Sequence, residues 1–252
     1  MPDPETPVVL LVHGVTASSR TWWRVAPALV QAGWQVLAVD LRCHGASGCE
    51  TLTEPWDIAE DVFETLTAEL GTARVDVAWG HSLGGWTVMQ LLARHPDVAR
   101  RAMLEDPPGS LVRDSDERLA TWRQEIELAR TDPAQSLAEQ RAQNPGVDER
   151  DLQNNVEGLK ECRIEPIADE FAAGHPEAAG DLAPRLPVPV LLYLAAEAGS
   201  VLVGAEREKT VAALPPGSRV VELDGGHTLH RELPQAYLAA ALDWLGHPIS
   251  YS

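Results

Sequence analysis

Apolar and polar positions along this chain alternate between two rhythms. Short apolar runs of strand length, at 7–12, 34–41, 75–79, 102–106, 187–194 and 218–223, are separated by longer stretches whose apolar residues recur every three or four positions. The longer stretches predict helices over Thr21–Ala32 (closed by Gly33), Glu54–Leu70, Trp86–Ala93, Val203–Leu214 and Pro234–Leu245. The second shows the logic most plainly: Pro55 stands early, Ile58, Val62, Leu66 and Leu70 share one face, and Gly71 marks the stop. Strands alternating with helices predict an α/β fold, a mostly parallel six-stranded sheet flanked by helices.

The alternation lapses between 107 and 184. Helical patterns near Ser115–Arg130, Pro133–Arg141, Glu149–Arg163 and Pro166–Ala173 follow one another with no strand between them, and Leu119, Trp122, Ile126 and Ala129 give the first an apolar stripe. The expected organisation is a core of 1–106 and 185–252 with an all-helical insertion at 107–184. Such an insertion leaves and re-enters at strand ends, where ligands bind in open α/β sheets, so it reads as a lid.

Composition narrows the partners. At 252 residues and 44% hydrophobic the chain can bury one sizeable core, and a formal net charge of −18 repels nucleic acid and anionic lipid. The cysteines Cys43, Cys49 and Cys162 lack C-x-x-C spacing, which predicts neither a disulfide framework nor a zinc site. The acidic, proline-rich start is unlike a signal peptide, and no apolar run reaches the roughly 18 residues of a membrane helix. The expectation is a soluble cytoplasmic protein in a reducing compartment, free of metal and cofactor.

The candidate chemistry sits in Gly80-His81-Ser82-Leu83-Gly84-Gly85, between the third apolar run and a helical pattern. Strand, tight turn and helix with glycines about the apex bring two backbones close together and push Ser82 outward, where its hydroxyl can act as a nucleophile. A serine hydroxyl needs a base at neutral pH, and imidazole suits that task.

With His13-Gly14 after the first strand, the Gly-x-Ser-x-Gly elbow, and Gly226-His227 after the last strand, the chain resembles a small α/β-hydrolase over almost its whole length. The resemblance implies a sheet without the N-terminal hairpin, His227 as base, and an oxyanion hole from the backbone amides of Val15 and Leu83. His230 is the nearest rival base and reads as a helix-entry residue. His13, His44, His81, His95, His175 and His247 read as loop or surface residues. Most relatives carry the triad acid after the strand that follows the lid, where this chain has Ala196-Glu197-Ala198-Gly199-Ser200. Haloalkane dehalogenases and zearalenone-type lactonases place it after the strand following the nucleophile helix. Here that position is Asp106, 24 residues beyond Ser82, with Glu105 and Glu197 as alternatives and Glu105 expected on the opposite side of its strand.

The resulting expectation is a serine hydrolase acting on a carboxylic ester or lactone of a small, mostly apolar molecule through an acyl-enzyme. A carbon–carbon bond hydrolase or an acyltransferase would use the same triad, and a ligand receptor on this fold is the reading from another class. Trp22, Trp23 and Trp122 are candidate substrate-binding residues, whereas Trp34, Trp79 and Trp244 read as core.

Overall fold

The computed structural model describes residues 6–49, 57–71, 74–109, 115–172 and 177–246. Its centre is a six-stranded sheet, with β1 (Val8–Val12), β2 (Gln35–Val39), β3 (Val75–His81), β4 (Ala99–Glu105), β5 (Val190–Leu194) and β6 (Arg219–Glu222) in the order β2-β1-β3-β4-β5-β6. All five pairings are parallel. The strand period of two divides the core. Leu10, Ala78, Leu104 and Leu192 face α2 (Asp57–Leu70) and α3 (Leu83–Arg94), while Val9, Val77, Met103 and Leu191 face α1 (Val25–Gln31) and α11 (Pro234–Leu245).

Where the elements differ from expectation, proline explains most of it. A helix from Thr21 would carry Pro27 in its interior, where the missing N–H and the ring break the ladder. The chain instead makes one 3₁₀ turn over Ser19–Trp22 and starts α1 at Val25, so that Pro27 falls in the first turn. Pro187 and Pro189 likewise delay β5 until Val190. The expected start of the second long helix at Glu54 lies outside the described residues.

Between β4 and β5 the described residues form only helices: α4 (Ser115–Thr131), α5 (Pro133–Gln143), α6 (Glu149–Glu161), α7 (Glu165–Ala172), the short α8 (Ala179–Leu182) and a 3₁₀ turn at Ala183–Arg185. The chain continues after β5 with α9 (Gly204–Ala212), and a short α10 (Leu229–Glu232) precedes α11. While α4 packs on α5, α6 and α7, α8 packs against α3 and α9 on the core.

The cysteine expectation is corrected. Cys43 and Cys49 form a disulfide, with Cα atoms 4.2 Å apart. Cys43 takes φ +66° and its amide donates to Gly48 O at 2.9 Å, which folds the short loop back on itself. The pair withdraws the support that unpaired cysteines lent to a reducing compartment. Cys162 is free and buried, and burial pushes its thiol up to about 12. No described helix is long and apolar enough to cross a membrane.

Candidate active site

The turn from β3 into α3 depends on two glycines. A Cβ on Gly80 would lie 2.2 Å from Gly84 O, and one on Gly84 would lie 2.2 Å from Val12 O. At the apex Ser82 adopts φ +52°, ψ −119°, a conformation that costs a non-glycine residue free energy and persists because its surroundings impose it. The Ser82 amide donates to Glu105 O at 2.8 Å and its carbonyl accepts from Trp86 N at 3.0 Å, so the turn is pinned from both sides. Ser82 lies on the wall of a cavity of about 580 Å³, together with Val15, Leu83, Trp122, His227 and Arg231.

Asp106 closes β4 at φ +43° and is fully buried. Its Oδ2 accepts from His227 Nδ1 at 2.6 Å and from the Val201 amide at 3.0 Å, and Oδ1 accepts the Ser200 hydroxyl. With Nδ1–H directed at the carboxylate, the tautomer assigned from these bonds leaves the lone pair of His227 on Nε2. The loop after β5 thus supplies donors to Asp106. At Gly199 a Cβ would meet Gly226 Cα at 2.9 Å, so close approach of the His227 loop leaves no room there for an aspartate. Glu197 is exposed and lines a different cavity. Ser200 escaped sequence reasoning, although it directly follows the glycine that replaces the usual acid.

Glu105 points to the other side of β4, as strand alternation requires. Its carboxylate accepts from His230 N at 3.0 Å, from His230 Nδ1 at 2.9 Å and from Tyr237 Oη at 2.7 Å. Burial raises its pKa, opposed by His81 and these donors. His230, buried and held neutral by desolvation, directs Nε2 at Thr21 Oγ1, 2.7 Å away. Two carboxylate–histidine pairs therefore flank the end of β4, and only the pair of Asp106 and His227 has its histidine on the cavity.

His13 and His44 stand in loops, as expected, but are buried rather than at the surface, and His81, also buried, ends β3. His81 Nε2 donates to His227 O at 3.0 Å and so steadies the loop carrying that imidazole. His13 Nδ1–H donates to Gly14 O at 2.7 Å and Nε2 accepts from the Leu41 amide at 3.0 Å. His44 Nε2 accepts from the Thr16 amide at 3.3 Å. Burial holds all three below the ordinary histidine pKa, His13 at about 4 and His44 at about 3. His95 is partly exposed, stacks on Phe63 and bonds Glu60; His175 and His247 lie outside the described residues.

In the loop after β1 the Thr16 and Ala17 amides are taken by His44 and Gly14 O, while the Val15 amide has no partner among the described residues. Leu83 is the first residue of α3, where an amide has no intrahelical acceptor. Of the three candidate tryptophans only Trp122 lines the cavity. Trp22 is corrected to the core, where it packs on Trp79 and His230 because the 3₁₀ turn rotates it under the loop. Trp23 is also corrected: its Nε1 donates to Asp151 Oδ1 at 2.7 Å and its ring lies under the guanidinium groups of Arg24 and Arg150.

Among the described residues His81, Glu105 and His230 bring potential metal-ligand atoms within 4.8 Å of one another. Glu105 and His230 already bond each other, Tyr237 and Thr21, while His81 donates to His227 O and leaves Nδ1 unpartnered. Glu105 and His230 are thereby satisfied as a hydrogen-bonded pair.

A family model described as alpha/beta hydrolase fold matches residues 7–232. A pimeloyl-[acyl-carrier protein] methyl ester esterase of Neisseria meningitidis is 35% identical over 116 residues, 46% of this chain and 35% of that protein. Esterase YbfF of Escherichia coli is 27% identical over 244 residues, 94% of this chain and 92% of the relative. A solved hydrolase from Pseudomonas aeruginosa superposes with a TM-score of 0.74 at 24% identity, covering 98% and 92% of the two chains. The chain spans about a third of the length of the first curated relatives it matches.

Proposed function

The chain belongs to the α/β-hydrolase fold family, and from that premise we propose a serine hydrolase that cleaves a carboxylic ester or lactone of a small, mostly apolar molecule through an acyl-enzyme. The observation that carries this reading is the 2.6 Å bond between Asp106 and His227 beside an elbow serine on the same cavity.

In this reading His227 Nε2 takes the Ser82 proton as Oγ bonds to the acyl carbon, and the buried Asp106 carboxylate favours the imidazolium that forms without accepting its proton. The amides of Val15 and Leu83 donate to the oxyanion, a group best stabilised by dipoles already in place. Collapse of the tetrahedral species breaks the carbon–oxygen bond, and His227 returns the proton to the leaving alcohol. In a lactone that alcohol stays tethered to the acyl group. Water, deprotonated by His227, then frees the acid and restores Ser82. The helical insertion of 107–184 acts as the lid, with Leu119 and Trp122 giving the cavity its apolar wall.

The test is the intact mass of the protein after exposure to a small fluorophosphonate, with Ser82→Ala as control. One adduct on the parent and none on the variant is the expected result. Absence of an adduct on the folded parent would overturn the hydrolase reading in favour of a ligand receptor.

A further inference from the structure

The cavity carries a cation that no carboxylate of the described residues meets in an ion pair. Arg231 stands four residues beyond His227 on α10 and lines the same cavity. Its Nε and Nη2 both donate to Thr21 Oγ1, at 3.0 and 2.9 Å, and Nη1 donates to Asn155 Oδ1 at 3.0 Å. Both acceptors are neutral, and among the described residues no carboxylate lies within ion-pair distance of the guanidinium. The three acids whose charge reaches it spend their hydrogen bonds elsewhere: Asp151 on Trp23, Glu105 on His230 and Tyr237, and Glu232 on Gly226 N and Thr228. Three of the five N–H groups of Arg231 are thereby used and two are left.

Two further observations give the cavity a sign. Its lining holds two arginines, Arg118 and Arg231, against one glutamate, Glu206, in a chain where acidic side chains outnumber Lys and Arg by 38 to 20. Arg231 is also held rigidly, since Thr21 Oγ1, its double acceptor, is itself fixed against His230 Nε2 at 2.7 Å. Desolvation lowers the guanidinium pKa from its ordinary value, but arginine remains charged at any physiological pH. A desolvated cation with two donors to spare favours a planar, bidentate anion.

We propose that Arg231 anchors a carboxylate of the substrate, so that the ester or lactone cleaved at Ser82 belongs to a molecule bearing a free acid group. This rests on the hydrolase reading for the reaction at Ser82, but not for the binding of the anion. One guanidinium with two free donors matches the charge and the two oxygens of a single carboxylate. Asn155, through its hold on Nη1, is a positioning residue for that contact.

The experiment has a kinetic arm and a binding arm. In the first, kcat/KM is measured for mono(4-nitrophenyl) adipate and for 4-nitrophenyl hexanoate, a pair of similar length and leaving group that differs by the terminal carboxylate. The parent is expected to prefer the anionic ester by about ten- to a hundredfold, the range of a hydrogen bond to a charged group. In Arg231→Gln that ratio is expected to fall to near unity, and in Arg231→Lys, which keeps the charge and loses the fork, to an intermediate value. In the second arm, calorimetry on Ser82→Ala reads the binding of adipate against dimethyl adipate, with no turnover and with Arg231 intact, so that a folding defect in the Arg231 variants leaves the proposal testable.

Binding of adipate but not of its diester, together with the preference, is the supporting result. Turnover of both esters with no anionic preference and no adipate binding would overturn the carboxylate site while the hydrolase reading stood. Adipate binding without turnover of either ester would uphold the site and remove the hydrolase reading. A folded Arg231→Gln that kept the full preference would overturn the assignment to Arg231.

Discussion

At the scale of single residues the proposed triad acid is the most informative position. Asp106 sits at φ +43°, a region that asparagine also tolerates, so Asp106→Asn changes the chemistry while sparing the backbone. An asparagine cannot match a carboxylate that accepts from His227, Ser200 and Val201 together, and its amide favours the wrong imidazole tautomer. The expected loss in kcat/KM toward a 4-nitrophenyl ester is about 10³- to 10⁴-fold, whereas Glu197→Gln stays at the parental rate. Equal rates for the two variants would remove Asp106 from the proposed triad. Asp106 stood out in the sequence because an aspartate ends the strand after the nucleophile helix while Gly199 stands where most relatives keep the acid, and the structure sets it against His227. The donors that hold Asp106 were not legible, because Ser200 and the Val201 amide reach it across 94 and 95 residues of chain. Arg231 was hidden for a similar reason, since an arginine beside a helical glutamate reads as solvated surface until the fold turns it toward the cavity.

At the scale of elements, His13 and His44 brace the loops that follow β1 and β2. His13 joins the two strand ends through the Leu41 amide, and His44 takes the Thr16 amide beside the candidate oxyanion donor. Asp40 favours protonation of both, while Arg231 opposes it at His13, and His13 and Arg163 oppose it at His44. Desolvation outweighs these, leaving folded values of about 4 and about 3 against an ordinary 6.5. The unfolded chain therefore binds these protons first. The stability associated with the neutral rings is present above about pH 6.5 and is lost as the pH falls toward the folded values, by up to about 3 kcal/mol for His13. Urea midpoints measured from pH 7.5 to 4.5 should fall more steeply for the parent than for His13→Asn, and parallel curves would refute the role given to that ring. Apolar periodicity located the strands these loops follow, but it carries no information on a polar ring buried by neighbours from a second strand. The same limit produced the overlong helix from Thr21, where one proline outweighed a good apolar pattern.

At the scale of the whole molecule, the inserted helices are tied to the sheet domain unequally, and this constrains how the cavity can open. α6 is fastened to the loop after β1: Asn154 Nδ2 donates to Arg20 O at 3.0 Å, Arg20 pairs with Glu161, and Trp23 bonds Asp151. At Gly158 a Cβ would lie 2.8 Å from Thr16 O, so the helix backbone itself rests on that loop. α5 has no comparable anchor among the described residues; it packs on α4 and α6 and buries Ser136. Few buried contacts and many exposed backbone hydrogen bonds are the conditions for low local stability. Hydrogen exchange followed by mass spectrometry should therefore find residues 150–160 nearly as protected as β3, with 133–143 exchanging well ahead of them. Equal rates in the two segments would mean that the insertion opens as one body. Unequal rates would place the motion that admits a substrate in α5, over a fixed α6. Arg231 and Asn155 would then stay in place through opening and closing, and the anion site would be formed before a substrate arrives.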